Sequence, residues 1–461
     1  MTADEIFRIQ NMIRFLEGQQ FVQKKRDYSQ LFTSVLGVLC SRHIPQYDSF
    51  VPQGQTGRQE AWIDSNYGSL KKAVRMLRRS LFGSRIDYRP LLVRELLSLG
   101  MLFGEQLCYN SSLFETLGWR GKNVQKLAER LQRFAFNKRL LTILKYGVFD
   151  SFVEQENLYS RLPKFNIAVV ATMSAGKSTF INALLGHDYL PSRNEATTAT
   201  ITTVQDKDGL QVLFGCVEMD GGLVPCKHLV TLEQMNQWND DPKVRHIHLQ
   251  GDLDNIGNHH AVVCVHDTPG TNNSGDTSHE AITMEFLRNN EMDAVIFVAN
   301  GEHLCTTDEK RLLEDLQKTL GGEVPVIFAL NKMDSHDSQK EDLAATVQQY
   351  RTFVRELGFD DSMVYPVTAK AARLFKMALK GRSGDFTEQE VASFVMGYRK
   401  FTRRMSLAGS TETPTCNGPP EIVDIEDDTY SKGDIYVALG RTGIIQVEQC
   451  IENLTNKRSG A

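Results

Sequence analysis

Residues 165–185 constrain the fold more than any other stretch. An apolar run, FNIAVVAT (165–172), passes through MSAGK directly into STFINALLG, giving a strand, a tight loop and a helix in immediate succession. The loop fits the phosphate-binding pattern GxxxxGK[ST], with Ala171 at the first glycine position, which alanine can occupy when its φ is negative. Its chemistry follows from the residue types. Backbone N–H groups of Met173, Ser174, Ala175 and Gly176, together with the helix N-terminus that Thr179 enters, surround phosphate oxygens. The Lys177 ammonium neutralises the β and γ phosphates, and the Ser178 hydroxyl suits Mg2+. A short, nearly continuous apolar strand before such a loop belongs in the middle of a doubly wound, mostly parallel sheet.

Four further apolar runs end in the same way. VVCVHDTPG, AVIFVAN, VPVIFALNKMD and MVYPVTAK each stop at polar residues, and EAITMEFLRNN and DEKRLLEDLQKTL read as helices between them. Asp267-Thr-Pro-Gly270 gives a DxxG pattern, whose carboxylate orients Mg2+ and whose Gly270 N–H senses the γ phosphate. Asn331-Lys332-Met333-Asp334 gives NKxD. The Asp334 carboxylate can accept two hydrogen bonds from guanine N1–H and its exocyclic amine, a pair that adenine does not present, so the expected nucleotides are GTP and GDP. Thr368-Ala369-Lys370 resembles the last base-binding box, in which a backbone N–H meets the guanine carbonyl. In Leu190-Pro-Ser-Arg-Asn-Glu-Ala-Thr-Thr-Ala199, the place of the first switch, Thr198 is the residue expected to close onto Mg2+, with its neighbour Thr197 as the alternative.

The remaining chain is less specific. Residues 1–160 carry 23 Lys and Arg against 15 Asp and Glu, whereas 161–461 carry 29 against 42. A basic segment joined to an acidic one suits an anionic partner or an internal docking surface. The first part reads as helices: 70–81, with Leu70, Val74, Leu77 and Leu81 on one face, 92–107, and 124–141. Residues 43–66, with two prolines and glycines at 54 and 57, read as a long connection. Residues 405–434, rich in small and acidic types, read as a flexible insertion, and 456–461 as a tail. No stretch has the uninterrupted apolar length of a membrane span or the plan of a secretory signal, which places the chain in the cytoplasm. The eight cysteines show no metal-ligand spacing and read as reduced thiols. His246 and His248 alternate in RHIHLQ, and His259 and His260 are adjacent. Strand alternation alone puts two such side chains on one face, so these read as ordinary strand and loop histidines.

MSAGKSTFINALLG, the LPSRNEATTA stretch, DTPG and NKMD together resemble the bacterial dynamin-like GTPases, over about residues 160–455. The resemblance implies an α/β fold, a dynamin-type GTPase domain at 161–455 with its sheet extended through 205–262, and a helical neck or stalk segment at 1–160. It implies GTP hydrolysis activated by a GTP-dependent homodimer, action at an anionic membrane surface, peripheral placement at the inner membrane and a role in membrane remodelling. Met173 stands where dynamins commonly carry glutamine, and Thr271-Asn272-Asn273 follows DTPG where Ras-like enzymes place a water-positioning glutamine. With Lys177 and Thr198, Ser174 is therefore the expected catalytic contributor, through water or through a monovalent cation, K+ or Na+. Family members continue for hundreds of residues into stalk helices beyond the point corresponding to Ala461. The expectation is a fragment, a second polypeptide completing the stalk, or a chain without that part. Two other readings stay open: a GTP-gated module recruiting a protein partner, and an RNA- or ribosome-associated GTPase, with nucleic acid ranked behind the other partners.

Overall fold

The structure is a computed structural model that describes residues 2–18, 28–44, 47–51, 53–81, 84–87, 155–172, 174–191, 200–210, 212–226, 229–269, 278–335, 342–403, 405–408, 421–426 and 428–459. The chain forms two compact units, Met1–Arg161 with Leu223–Leu229, and Leu162–Gly222 with Val230–Ala461. Among the described residues, no helix is long and apolar enough to cross a membrane.

The first unit is mainly helical: α1 (Ala3–Gly18), α2 (Tyr28–His43), α3 (Gln55–Tyr67) and α4 (Leu70–Met76). Its core joins Ile6, Phe7 and Ile9 of α1 to Leu31, Val35, Val38 and Leu39 of α2, with Ile63, Ala73, Val74 and Leu77 also buried. Gln10 Nε2 donates to the Cys226 carbonyl at 2.9 Å, within this same unit. Two sequence expectations are corrected here. Residues 43–66 are not one connection, because α3 starts at Gln55. Gly54 sits in the left-handed region at φ 73° as its N-cap, so a glycine that reads as a breaker opens a helix instead. The helix expected over 70–81 ends at Met76, and β1 (Arg78–Leu81) pairs antiparallel with β2 (Ser84–Asp87). Leu81 opposes Ser84 across two intervening residues, the spacing of a tight hairpin, and strand pairing there overrides the 3.6-residue pattern. The helices read at 92–107 and 124–141 lie outside the described residues.

The second unit is built on eight strands of one sheet that lie wholly within it. In spatial order these are β11 (Val364–Pro366), β10 (Val326–Asn331), β9 (Ala294–Asn300), β3 (Lys164–Ala171), β8 (Val262–Asp267), β4 (Ile201–Asp206), β7 (His246–Gly251) and β5 (Phe214–Met219). From β11 to β8 all pairs are parallel, β4 runs antiparallel to β8, β7 runs parallel to β4, and β5 antiparallel to β7. Every residue of β10 is buried, as are all but Asn300 of β9, which is what strands covered on both faces require. Phe328 stacks its ring edge on Phe359 at 5.4 Å and lies 6.0 Å from both Phe297 and Tyr350.

The 205–262 stretch contains β5, helix Leu232–Asp240 and β7, which widen the sheet beyond β4. The flexible insertion expected at 405–434 is corrected at its end. Ile422–Ile425 pairs with Asp428–Ser431 as a hairpin, and helix Lys432–Gly440 follows. IVDI alternates exposed and buried residues at period two, a strand signal hidden by the acidic composition. Residues 409–420 lie outside the described residues. Helix Ile444–Ser459 ends the described chain. None of the described cysteines is in a disulfide, and all but Cys305 are buried.

Candidate functional site

The P-loop occupies the carboxyl end of β3, where a doubly wound sheet presents its ligands. Its backbone enters the left-handed region twice, at Ser174 (φ 58°) and Gly176 (φ 84°), and helix Lys177–Leu185 begins at once. A Cβ on Gly176 would lie 2.6 Å from Asn331 Nδ2, so only glycine lets the loop approach the strand end so closely. Ser174 is exposed, while Lys177, Ser178 and Thr179 are half-buried. The Lys177 ammonium pairs with the Asp267 carboxylate, which brings the lysine of the phosphate loop and the carboxylate of DTPG together. Thr268 then fixes DTPG to the central strand, its hydroxyl donating to the Val169 carbonyl at 2.8 Å, and Thr283 donates to the Pro269 carbonyl at 3.1 Å.

Asn331 joins the three sequence boxes. Its Nδ2 donates to the Ala175 carbonyl of the P-loop at 2.8 Å, and its Oδ1 accepts the Ala369 N–H at 3.0 Å. NKMD, the phosphate loop and Thr368-Ala369-Lys370 therefore meet on one buried amide. Ala369 thus gives its N–H to Asn331. Lys370 follows in the first turn of helix Ala369–Leu379, where backbone N–H groups have no acceptor within the helix. The Thr368 hydroxyl is buried with no hydrogen-bond partner. Lys332 (φ 63°) reaches Glu302 at 3.5 Å, and Asp334, half-buried in the short 3₁₀ turn Met333–Ser335, has its carbonyl held by the Lys400 ammonium. Met173, Thr197, Thr198 and Gly270 lie outside the described residues.

Several anchoring residues escaped the motif reading. Asn182, fully buried in the P-loop helix, donates to Asp188 Oδ1 and to the Leu190 carbonyl, each at 2.8 Å, and accepts the N–H groups of Tyr189 and Leu190. It thereby fixes the chain just ahead of the proposed switch. A polar residue in the otherwise apolar FINALL was the available signal. Arg373 pairs with Asp188 at 2.8 Å and with Glu390. Gly301 has its N–H on the Asn331 carbonyl at 2.7 Å, and a Cβ there would lie 2.5 Å from that oxygen. At the far end of the P-loop helix, Lys376 and Lys380 donate to the Leu184 and Leu185 carbonyls at 3.4 and 3.1 Å, placing cations at its negative pole. Lys376 also pairs with the fully buried Glu448 of the last helix, whose second oxygen accepts Asn255 Nδ2 at 2.8 Å. Burial pushes the Glu448 carboxyl up to about 7, against the opposing pull of Lys376.

Residues 167–333 match the dynamin family. A bacterial dynamin-like protein of Nostoc punctiforme is 26% identical over 41% of this chain and 28% of its own length. Dynamin-like protein 1 of Campylobacter jejuni is 28% identical over 42% of this chain and 26% of its own. The chain thus spans about a quarter of the length of these relatives. Among solved structures, a member of a bacterial dynamin pair, described as oligomerised and as providing a mechanism for long-range sensing and tethering of membranes, aligns at 17% identity. The alignment covers 85% of this chain and 76% of that one, with a TM-score of 0.34.

Proposed function

Taking residues 167–333 as a dynamin-family domain of the bacterial dynamin-like kind, we propose that this chain binds guanine nucleotides and hydrolyses GTP to GDP and phosphate. The observation that carries this reading is the Asn331 amide, bonded to both the P-loop and the Thr368-Ala369-Lys370 box, which supports one continuous phosphate-and-base site. Lys177 is the cation for the β and γ phosphates, and Asp334 is the acceptor that selects guanine. Ser178 and Asp267 offer hard oxygen donors beside Lys177, a set that fits Mg2+, with Thr198, or its neighbour Thr197, completing it from the switch. When bound, Mg2+ neutralises charge on the phosphate oxygens. Lys177 then leaves Asp267 for phosphate, and the loop N–H groups stabilise the charge that spreads over the transferred phosphoryl group.

No glutamine follows DTPG, so the attacking water needs another group to orient it. We assign this to pairing of two GTPase domains across their nucleotide faces, with the exposed Ser174 contributing directly or through a bound K+ or Na+. The basic N-terminal region fits an anionic lipid surface, which supports peripheral action at a membrane and a role in remodelling it. Phosphate release measured across protein concentration tests the dimer: turnover per molecule is expected to rise, and a GTP transition-state mimic to favour a dimer that GDP does not. Constant specific activity with a monomer by light scattering would overturn it. Co-sedimentation with anionic vesicles tests the membrane assignment, and its absence at low salt would remove it.

A further inference from the structure

We propose that Glu218, His246 and His248 bind a borderline divalent transition-metal ion, of which Zn2+ is the type, at a site separate from the nucleotide loop. The three side chains come together through strand register. His246 and His248 share one face of β7 by alternation, and Glu218 of the antiparallel neighbour β5 stands directly opposite His246. One ligating atom from each lies within 4.8 Å of the others, and the two imidazoles are stacked 4.1 Å apart with 11° between their planes. Two imidazole nitrogens and a carboxylate oxygen suit Zn2+, whereas Mg2+ and Ca2+ favour oxygen alone. Glu218 is exposed, so the fourth position of a tetrahedral site faces water.

What raises this trio above a chance pair of strand histidines is the chain of hydrogen bonds behind it. Asn166 Nδ2 donates to the Glu291 carbonyl at 3.3 Å, which fixes Asn166 Oδ1 as the acceptor facing His266 Nε2, also at 3.3 Å. His266 Nε2 therefore carries the proton, and His266 Nδ1 accepts the Thr203 hydroxyl at 2.9 Å. With its proton directed there, the Thr203 oxygen accepts from His246 Nε2 at 2.6 Å. The result is one tautomer of His246, with a lone pair on Nδ1. A ligating histidine whose other ring nitrogen is held by a polar partner, as half-buried Thr203 holds His246, is the arrangement that orients metal ligands. All of these residues lie on one face of β3, β8, β4, β7 and β5.

Register also separates this site from Asp267. Thr202 opposes Asp267 and Ile201 opposes His246, so the backbones that carry His246 and Asp267 stand two strand spacings, about 10 Å, apart. The acidic trio Asp206, Asp208 and Asp252 is a different case. Asp206 and Asp208 spend their oxygens on Leu253 N–H and on the backbone and side chain of Asn258, and that trio serves as the control.

The test is titration of the full chain with Zn2+ against a chromophoric chelator, and with Co2+ read by its visible absorption. One equivalent is expected to bind, with the intense bands of a four-coordinate Co2+ complex. Affinity is expected to fall at least a hundredfold in His248→Ala, tenfold or more in the exposed Glu218→Gln, and about 10–100-fold in Thr203→Val, which removes the orienting partner but no ligand. Asp208→Asn is expected to bind as wild type. Melting curves without metal check that each variant folds, and Glu218→Gln keeps the test open if His248→Ala does not. Absence of saturable binding, or wild-type affinity in both His248→Ala and Glu218→Gln, would overturn the site; wild-type affinity in Thr203→Val would overturn the orienting role.

Discussion

The half of the sheet from β11 to β8 and the half from β4 to β5 use the same kind of strand for different ends. In the first half all pairs are parallel, β9 and β10 are buried on both faces, and the sequence motifs sit at the carboxyl ends of the strands. In the second, parallel and antiparallel pairs are mixed, β4 and β7 each alternate half-buried with buried residues at their starts, and polar side chains occupy one face of the strands themselves. Parallel order gathers distant loops at one edge, and antiparallel order gathers side chains across a face. The proposed nucleotide site belongs to the first arrangement, and the Glu218–His246–His248 trio to the second.

Lys177→Ala is the strongest way to break that division. It is expected to lower GTP turnover at least a hundredfold, by about 2.7 kcal/mol or more, while leaving Zn2+ affinity unchanged; a parallel loss of metal binding would show that the halves are not independent. Asn331→Ala strikes the joint between phosphate loop and base box. It leaves the buried Ala175 carbonyl and Ala369 N–H unpaired, so denaturant unfolding is expected to register a loss of about 1–3 kcal/mol for each group left unsatisfied, and nucleotide affinity to fall tenfold or more.

Asp334→Asn sharpens the comparison by acting on the base alone. Wild-type protein is expected to prefer GTP over ATP by at least tenfold, about 1.4 kcal/mol, and the variant to lose that preference and gain affinity for xanthine nucleotide in a fluorescent-nucleotide titration. Equal affinities in wild type would remove Asp334 from the base.

Glu448 tests the layer beneath the P-loop helix. Its carboxyl is raised from 4.5 to about 7 in the fold, so between those values the folded chain holds a proton that the unfolded chain releases. That contribution is fully present below about 4.5 and is lost as pH rises through about 7. Melting temperature measured from pH 5 to 8 is expected to decline less steeply in Glu448→Gln than in wild type, and parallel profiles would remove the residue from the linkage. The smallest effect is reserved for the exposed pair Arg245–Asp220 beside the mixed half. Arg245→Gln is expected to change stability by less than about 1 kcal/mol and to leave turnover as it is, by melting and phosphate release.

The parallel half was legible because its rules are local. An apolar run followed by a phosphate loop, by DTPG or by NKMD carries its own end-point, and β3, β8, β9, β10 and β11 fall where those runs stand. The Asn331 bonds were not legible, since nothing in NKMD says which carbonyl its amide meets. His246 and His248 could be put on one face from RHIHLQ, but Glu218 lies in a strand whose register no local pattern specifies, and Thr203, His266 and Asn166 come from three more strands. In the first unit, propensity lost to context. The run 70–81 has helical spacing throughout, yet Arg78–Leu81 is taken into a hairpin, and Gln55–Tyr67 forms a helix with Ile63 as its buried apolar residue.

The two bonds of Asn331 span 156 and 38 residues of chain. Closing loops of that length costs conformational entropy, and here the cost is met when the protein folds, before any ligand arrives. In the proposed site a nucleotide would therefore meet the parts assigned to its phosphates and its base at a separation already set, with little further loss of freedom in the protein. Guanosine and pyrophosphate, offered separately, would each bear a full loss of translational freedom for half the contacts, whereas the joined molecule bears it once. Under the proposed function, the single amide would make the covalent link between base and triphosphate itself a recognised feature of the ligand.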